Sequence, residues 1–303
     1  MTRSGRAVRS GWIRQLVGFG SIVLAVGCGA RAAVAEPLRV MTFNIRYGSA
    51  DDGENAWPKR RELVFEMLRE EAPQIVGLQE AERFQLDELG KALPDYGEVG
   101  VGRDDGREAG EYSPILYDRR RVEVLDQGTY WFAEEPQTPG AIAWGAHLPR
   151  ICSWILARDK TTGREFYVYN MHWDHESQNS RQRSADLVLR RIAERAKADA
   201  PVVVTGDFNA DEANPAFVRL VSSKQQGLSD TFRRIHPDEA AVQTFHSFRG
   251  GRDQGGKIDA ILVSPDWQVQ DAKIVRTHRG DVYPSDHYPV TATIEQKATR
   301  SEN

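Results

Sequence analysis

Cysteine is almost absent from this chain: two occur among 303 residues, Cys28 and Cys152. That excludes a disulfide scaffold and a structural zinc site of the thiolate type. Repeats and low-complexity linkers are missing between Leu38 and Ile294, which argues against a solenoid or a string of modules. Beyond position 35 no apolar run is long enough to cross a bilayer. An excess of basic residues is lacking too, with 40 Lys and Arg against 44 Asp and Glu. A general grip on nucleic acid wants a basic face, so the overall charge does not favour one. Hydrophobic residues make up 40% of the chain, enough for a sizeable core.

The beginning reads differently from the rest. Arg3, Arg6, Arg9 and Arg14 are followed by an apolar stretch from Leu16 to Val26 and then by Ala33-Val34-Ala35. This order is that of a secretory signal peptide cut after Ala35, and it predicts a secreted or periplasmic protein. A lipoprotein site at Val26-Gly27-Cys28 and an uncleaved anchor are the alternatives, and both are less favoured. Cleavage leaves 35 basic against 44 acidic side chains, a formal charge of −9, and Cys152 as the one remaining cysteine. Residues 36–298 then form one domain, with 299–303 a disordered polar tail. The sequence favours a monomer with no stable membrane span.

Short runs rich in β-branched residues and bounded by Gly, Pro, Asp or Asn predict strands. They are Leu38 to Phe43, Gln74 to Leu78, Ser113 to Tyr117, Ile151 to Ala157, Phe166 to Met171, Val202 to Thr205 and Ile258 to Val263. Val64, Met67 and Leu68 mark one amphipathic helix, and Ala185, Leu189, Ile192, Ala193 and Ala196 another. Helices alternate with some strands, while hairpin-like pairs follow each other between Ser113 and Met171. The mixture predicts an α/β fold built from sheets packed together with helices outside.

Polar residues stand where these strands end. Val202-Val203-Val204 runs into Thr205-Gly206-Asp207-Phe208-Asn209, and Asp207 and Asn209, two apart, would share a face in extended chain. Phe208 would point into the core. Val40-Met41-Thr42-Phe43-Asn44 ends in an amide, Ile75-Val76-Gly77-Leu78-Gln79-Glu80 in a carboxylate, and Tyr169-Asn170-Met171-His172 in an imidazole. Asp259 opens a strand, and Asp286-His287 precedes the last one. Oxygen donors of this kind suit Mg²⁺ or Mn²⁺, and the imidazoles suit proton transfer or phosphate contact.

The set Asn44, Gln79-Glu80, His172, Gly206-Asp207-Phe208-Asn209, Ile258-Asp259 and Ser285-Asp286-His287 resembles the endonuclease/exonuclease/phosphatase superfamily. The match runs through the whole mature chain in the family's order, and its nearest likeness is to a secreted bacterial subgroup of uncharacterised substrate. The resemblance implies a four-layered sandwich, two packed mixed β-sheets flanked by helices. It implies that Glu80 binds the essential metal, with Asn44 and Asp286 close by. Asp207 would be the base that draws a proton from water, and Asn209 would hold the scissile phosphate. His172 and His287 would contact phosphate oxygens, oriented by Glu111 and Asp259 respectively. Arg150 resembles a phosphate-contacting arginine of the deoxyribonuclease branch.

The expected activity is metal-dependent attack of water on phosphorus. The favoured substrate is a small phosphoester or a lipid head group. A secreted nuclease cutting DNA or RNA is the first alternative, and a non-catalytic binding module is the second. Asp174, His175 and Glu176 read equally as a further metal site or as the start of a helix, where acids are welcome. His246 lies in a loop rich in Gly and Arg and is a candidate substrate contact. Trp131, Trp144 and Trp173 are expected in the core more than in a pocket.

Overall fold

A computed structural model describes residues 36–251 and 255–297, together with Gly11. Apart from Gly11, the expected leader lies outside the described residues, and so does the tail. Among the described residues no helix is long and apolar enough to cross a membrane.

Two six-stranded sheets carry the fold. The first runs β11 (Trp267–Ile274), β12 (Val290–Gln296), β1 (Leu38–Asn44), β2 (Ile75–Gln79), β4 (Ile115–Asp118) and β3 (Tyr96–Val99). The second runs β5 (Val122–Trp131), β6 (Ile151–Asp159), β7 (Glu165–His172), β8 (Val202–Asp207), β10 (Asp259–Val263) and β9 (Ser229–Asp230). Both sheets share one plan. A central parallel pair, β1 with β2 or β7 with β8, is flanked by antiparallel neighbours. Parallel neighbours need a crossover. Helix α1 (Trp57–Glu71) supplies it in the first sheet and α3 (Gln178–Ala193) in the second.

The inner faces of both sheets meet in one core that includes Val40, Ile75, Val168, Val203 and Ile261. On the outside of the first sheet, Phe43 and Leu78 pack with Val64 and Leu68 of α1 and with Leu86 of α2 (Arg83–Ala92). On the outside of the second, Tyr169, Val204 and Phe208 pack with Val188 and Ile192 of α3 and with Phe217 of α4 (Pro215–Val221). The layers are therefore helices, sheet, sheet, helices, as the resemblance implies. One short helix, α5 (Thr231–Ile235), lies against β11.

Beneath the strand ends the inter-sheet core turns polar. Gln79 Nε2 donates to Asn170 Oδ1 at 2.7 Å and to Thr42 Oγ1 at 3.1 Å. Asn170 Nδ2 donates to the carbonyls of Leu78 and Pro114, and Thr205 Oγ1 donates to Asn170 Oδ1. This fully buried network ties β2 of one sheet to β7 and β8 of the other, which fixes register between layers. It needs Gly77, because a Cβ there would stand 2.2 Å from Thr205 Oγ1 and 2.4 Å from Asn170 Oδ1.

Strands β3, β5, β9 and β11 and helix α2 are additions to the sequence reading. Strand β5 reads VEVLDQGTYW and exposes Glu123, Asp126 and Gln127 at a sheet edge, so no clean apolar alternation marks it. The stripe expected on α3 also shifts. The helix ends at Ala193, Ala193 is exposed, and the buried face runs through Ser184, Ala185, Val188 and Ile192. Small polar residues fill a face that apolar counting alone misses.

Candidate active site

The two parallel pairs bring four strand ends to one rim. Asn44 ends β1, Glu80 follows β2, His172 ends β7 and Asp207 ends β8. Asn44 Nδ2 donates to Glu80 Oε1 at 2.9 Å and to Asp207 Oδ2 at 3.0 Å, so the ends converge across the sandwich. Asp259 opens β10 directly opposite Asp207. His287 reaches in from the loop before β12, with its Nδ1 at 2.9 Å from Asp259 Oδ2 and its Nε2 at 3.8 Å from Asp207 Oδ2. Glu80, His172, Asp207 and His287 line a cleft of about 480 Å³ that Arg46, Arg150, His175 and Phe245 also border.

The chain leaves its strands sharply here. Glu80 and Asn209 take left-handed backbone, with φ of 61° and 45°, a conformation that costs non-glycine residues free energy and clusters at functional sites. Asp207 and Asn209 consequently do not share a strand face as extended chain would have it. Instead the Asn209 N–H donates to Asp207 Oδ1 at 2.9 Å, and the Asn209 side chain donates to the Trp173 carbonyl and to His172 Nε2. Phe208 between them is fully buried, edge-on to Trp173 and Phe217, as its place in the sequence implies.

Environment drives the two histidines apart. Burial opposes charge on His287, but Asp259 and Asp207 outweigh it and push the imidazole up to about 10. Burial, Arg150 and Arg103 press His172 well below its ordinary range, so it stays neutral. Its Nε2 accepts from Asn209, which leaves that nitrogen without a proton to donate. Asp207 is pushed up to about 7 by burial and by Asp259, and Asp286 is raised by burial and by Glu80. Several carboxylates thus face one another, held above their ordinary range first by burial and then by each other's charge.

This convergence of carboxylate oxygens, with no thiol, fits a hard divalent cation. Single ligating atoms of Glu80, His172 and Asp207 lie within 4.8 Å of one another, and so do those of Asp207, Asp259 and His287. Of the two carboxylates the resemblance assigns to the metal, Glu80 falls in such a group among the described residues and Asp286 does not. Asn44 turns its nitrogen to the carboxylates, while its Oδ1 accepts from the Arg46 N–H at 3.0 Å. Asp286 Oδ1 accepts from Ser285 Oγ, and its Oδ2 lies 4.0 Å from Arg46 Nε.

Glu111 departs from expectation. Both its oxygens accept from Arg103, at 2.7 and 2.9 Å, in a bidentate pair, and among the described residues it makes no hydrogen bond to His172. Burial holds its carboxyl up at about 7 in spite of Arg103. Arg150 is buried, donates from Nη2 to His175 Nδ1 at 2.8 Å, and keeps both Nε and Nη1 buried without an acceptor among the described residues. Asp174 is also fully buried, accepts from the N–H groups of Glu176 and Ser177, and lies 3.7 Å from Arg150. Its place is at the start of a helix beside an arginine, which disfavours a second cation there. Trp131 and Trp173 are core residues.

His246 is buried beside the site, stacked on Tyr288 with ring centroids 4.0 Å apart, and its Nδ1 accepts from the Gly250 N–H. Burial, His287 and Arg276 lower it from 6.5 to about 4. The unfolded chain therefore takes up a proton near pH 6.5 that the folded chain refuses until about pH 4. Stability is full above that window and falls as pH drops through it. Melting temperatures from pH 7.5 to 4.5 should decline more steeply for the wild type than for His246→Gln; parallel curves would show that another group sets the slope.

Sequence reasoning left out Arg46 and Arg103, which stand against the site carboxylates Asp286 and Glu111, and gave Ser285 a place in a motif but no role. A sequence profile described as "Endonuclease/Exonuclease/phosphatase family" matches residues 41–287. Among solved structures, an endonuclease/exonuclease/phosphatase from Bacteroides vulgatus is 36% identical, covers 87% of this chain and 100% of its own, and superposes with a TM-score of 0.80. A mannosyl-6-phosphatase of Bacteroides thetaiotaomicron is 33% identical over 85% of this chain and 99% of its own, with a TM-score of 0.78. D. rerio TDP2, complexed with a single-strand DNA product, is 19% identical with a TM-score of 0.68 over 86% of this chain and 99% of its own, a likeness of fold alone.

Proposed function

The chain belongs to the endonuclease/exonuclease/phosphatase family, and from that premise we propose that it is a metal-dependent phosphoester hydrolase whose substrate is a small phosphorylated molecule, in the first instance a sugar phosphate. The observation that carries this reading is Arg150. A buried guanidinium whose Nη1 has no hydrogen-bond acceptor among the described residues, and whose Nε has only Asp174 at 3.7 Å, at the wall of a cleft of about 480 Å³, suits a phosphoryl oxygen in a confined site. The similarity to a mannosyl-6-phosphatase at 33% identity supports the substrate class. So does the acidic balance of the chain beyond residue 35.

Bound at Glu80 and its neighbours, Mg²⁺ or Mn²⁺ would neutralise charge on the phosphoryl group. Asp207, with a carboxyl poised at about 7, takes the proton from the attacking water. Asp259 holds His287 charged, so its Nε2 donates to a phosphoryl oxygen as charge builds there. Arg150 donates to a second oxygen. His172 is assigned a different task from the one the resemblance implies: it accepts from Asn209 and so sets the amide that meets the phosphate. Asn44 keeps Glu80 and Asp207 in register.

Export is part of the proposal and rests on the order of charge and apolar residues in positions 1–35. Protein recovered from the periplasm or medium should begin at Glu36. Purified protein treated with EDTA should lose turnover and regain it with Mg²⁺ or Mn²⁺. In a screen it should favour sugar phosphates over DNA and RNA, with a shallow dependence on salt. Preferred cleavage of nucleic acid, with binding that falls steeply as salt rises, would favour the nuclease reading instead.

A further inference from the structure

A second cavity, of about 360 Å³, lies on the outer face of the second sheet, under the C-terminal end of α3. It shares no lining residue with the cleft at the strand ends and takes no part in the chemistry above. Its floor is a cross-strand row. Trp154 pairs with Gly128 on one side and with Tyr169 on the other. Residues two apart share a strand face, so Tyr167 joins them. The Trp154 and Tyr167 ring centroids are 6.2 Å apart, and Tyr167 stacks on Tyr169 at 6.1 Å.

Gly128 is out of place in a ten-residue strand on propensity alone. Its reason is Trp154: a Cβ at 128 would stand 2.8 Å from the indole Nε1 and 3.0 Å from Cε2 and Cζ2. The glycine lets the indole lie flat across the neighbouring strand and leaves Trp154 half-buried. Above this floor stand Arg191 and Glu194, with Gln127 at the side. Arg191 lies over the Tyr130 ring, and its buried Nε has no hydrogen-bond acceptor among the described residues.

We propose that this cavity is a binding site for a neutral pyranose ring, separate from the active site. An indole lying flat offers an apolar platform to the C–H face of a sugar. Guanidinium, carboxylate and amide arms of mixed sign around it match hydroxyl groups, which both donate and accept, better than they match an ion of either sign. The volume holds one or two rings. On an enzyme that hydrolyses sugar phosphates, such a site would tether the protein to glycan, but its occupancy does not depend on that activity.

The test is calorimetric titration of the whole protein with methyl α-mannoside, methyl β-glucoside, N-acetylglucosamine, mannobiose and adenosine. Saturable binding of at least one sugar is expected, weakened ~tenfold or more by Trp154→Ala, in keeping with the value of one aromatic stacking contact. Arg191→Gln, on the surface of α3, should weaken it as well. Asp207→Asn should bind as the wild type does. Trp154→Ala should hydrolyse a small chromogenic phosphoester at the wild-type rate. Failure of every sugar to bind, preference for adenosine, or equal binding by both cavity variants and the wild type would overturn the inference. Loss of sugar binding in Asp207→Asn would place the sugar in the active site instead.

Discussion

Asp207→Asn should lower kcat by about three orders of magnitude, within the range that a general base contributes, while the protein folds as well as the wild type or better. The volume is conserved and the oxygen that accepts from the Asn209 N–H is kept, while the other, which accepts from Asn44 Nδ2, becomes an amide nitrogen and loses that one hydrogen bond. What disappears is a carboxylate that sits fully buried against Asp259, so the variant loses an electrostatic cost that the wild type carries. A melting temperature equal to or above that of the wild type, beside a collapsed kcat, is the signature of a group held at a functional site against the interest of stability. Substrate affinity should change little, because the proton transfer belongs to the transition state. A variant of near-normal kcat would remove Asp207 from the chemistry, and with it the reading of the whole rim.

The second large effect concerns a residue far from the reacting atoms. Arg60→Met should destabilise the protein by about 3–5 kcal/mol, because each buried carbonyl left without its donor costs about 1–3 kcal/mol. Arg60 is wholly buried on α1. It donates to the carbonyls of Asn55, Ile45, Pro284 and Arg46 at 2.8, 2.7, 2.8 and 3.1 Å. Those carbonyls belong to the loop after β1, which carries Arg46, and to the loop that carries Asp286. One guanidinium thus closes the ends of two active-site loops, with the Trp57 ring 5.1 Å from its carbon. Burial lowers its pKa to about 10, which still leaves it charged at neutral pH. Methionine fills the space but leaves the carbonyls of Asn55, Ile45 and Pro284 without a donor, while that of Arg46 keeps Gln85 Nε2. Lysine keeps the charge and lacks the planar fork. Arg60→Lys should therefore recover little of the loss. Denaturant melts read both numbers; a Met variant within 1 kcal/mol of the wild type would mean that water replaces the guanidinium, on the order of an ordinary surface change.

Much of this protein was legible before any coordinates. Buried strands advertise themselves as β-branched runs, and a polar residue at the end of such a run is placed at a sheet rim by connectivity alone. Asn44, Glu80, His172 and Asp207 were readable for that reason, and Phe208 between two polar neighbours was readable as core. The edge strands were harder. Strands β5 and β11 expose so many positions that charges interrupt their pattern. Helix α2 buries only Leu86, Leu89 and Gln85 over ten residues, too little for a periodic signal.

By itself the sequence determined the class of fold, the order of the chemical groups along the chain and the rim on which they fall, because each follows from local alternation of polar and apolar residues. Tertiary structure decided who pairs with whom. Glu111 took Arg103 and left His172 to Asn209, Asn44 offered its nitrogen and not its oxygen, and Arg60 joined loops separated by more than 200 positions. Such choices turn on distances between strands of different sheets and on the free-energy cost of leaving a buried charge or carbonyl unpaired. Neither quantity exists until the two sheets have packed.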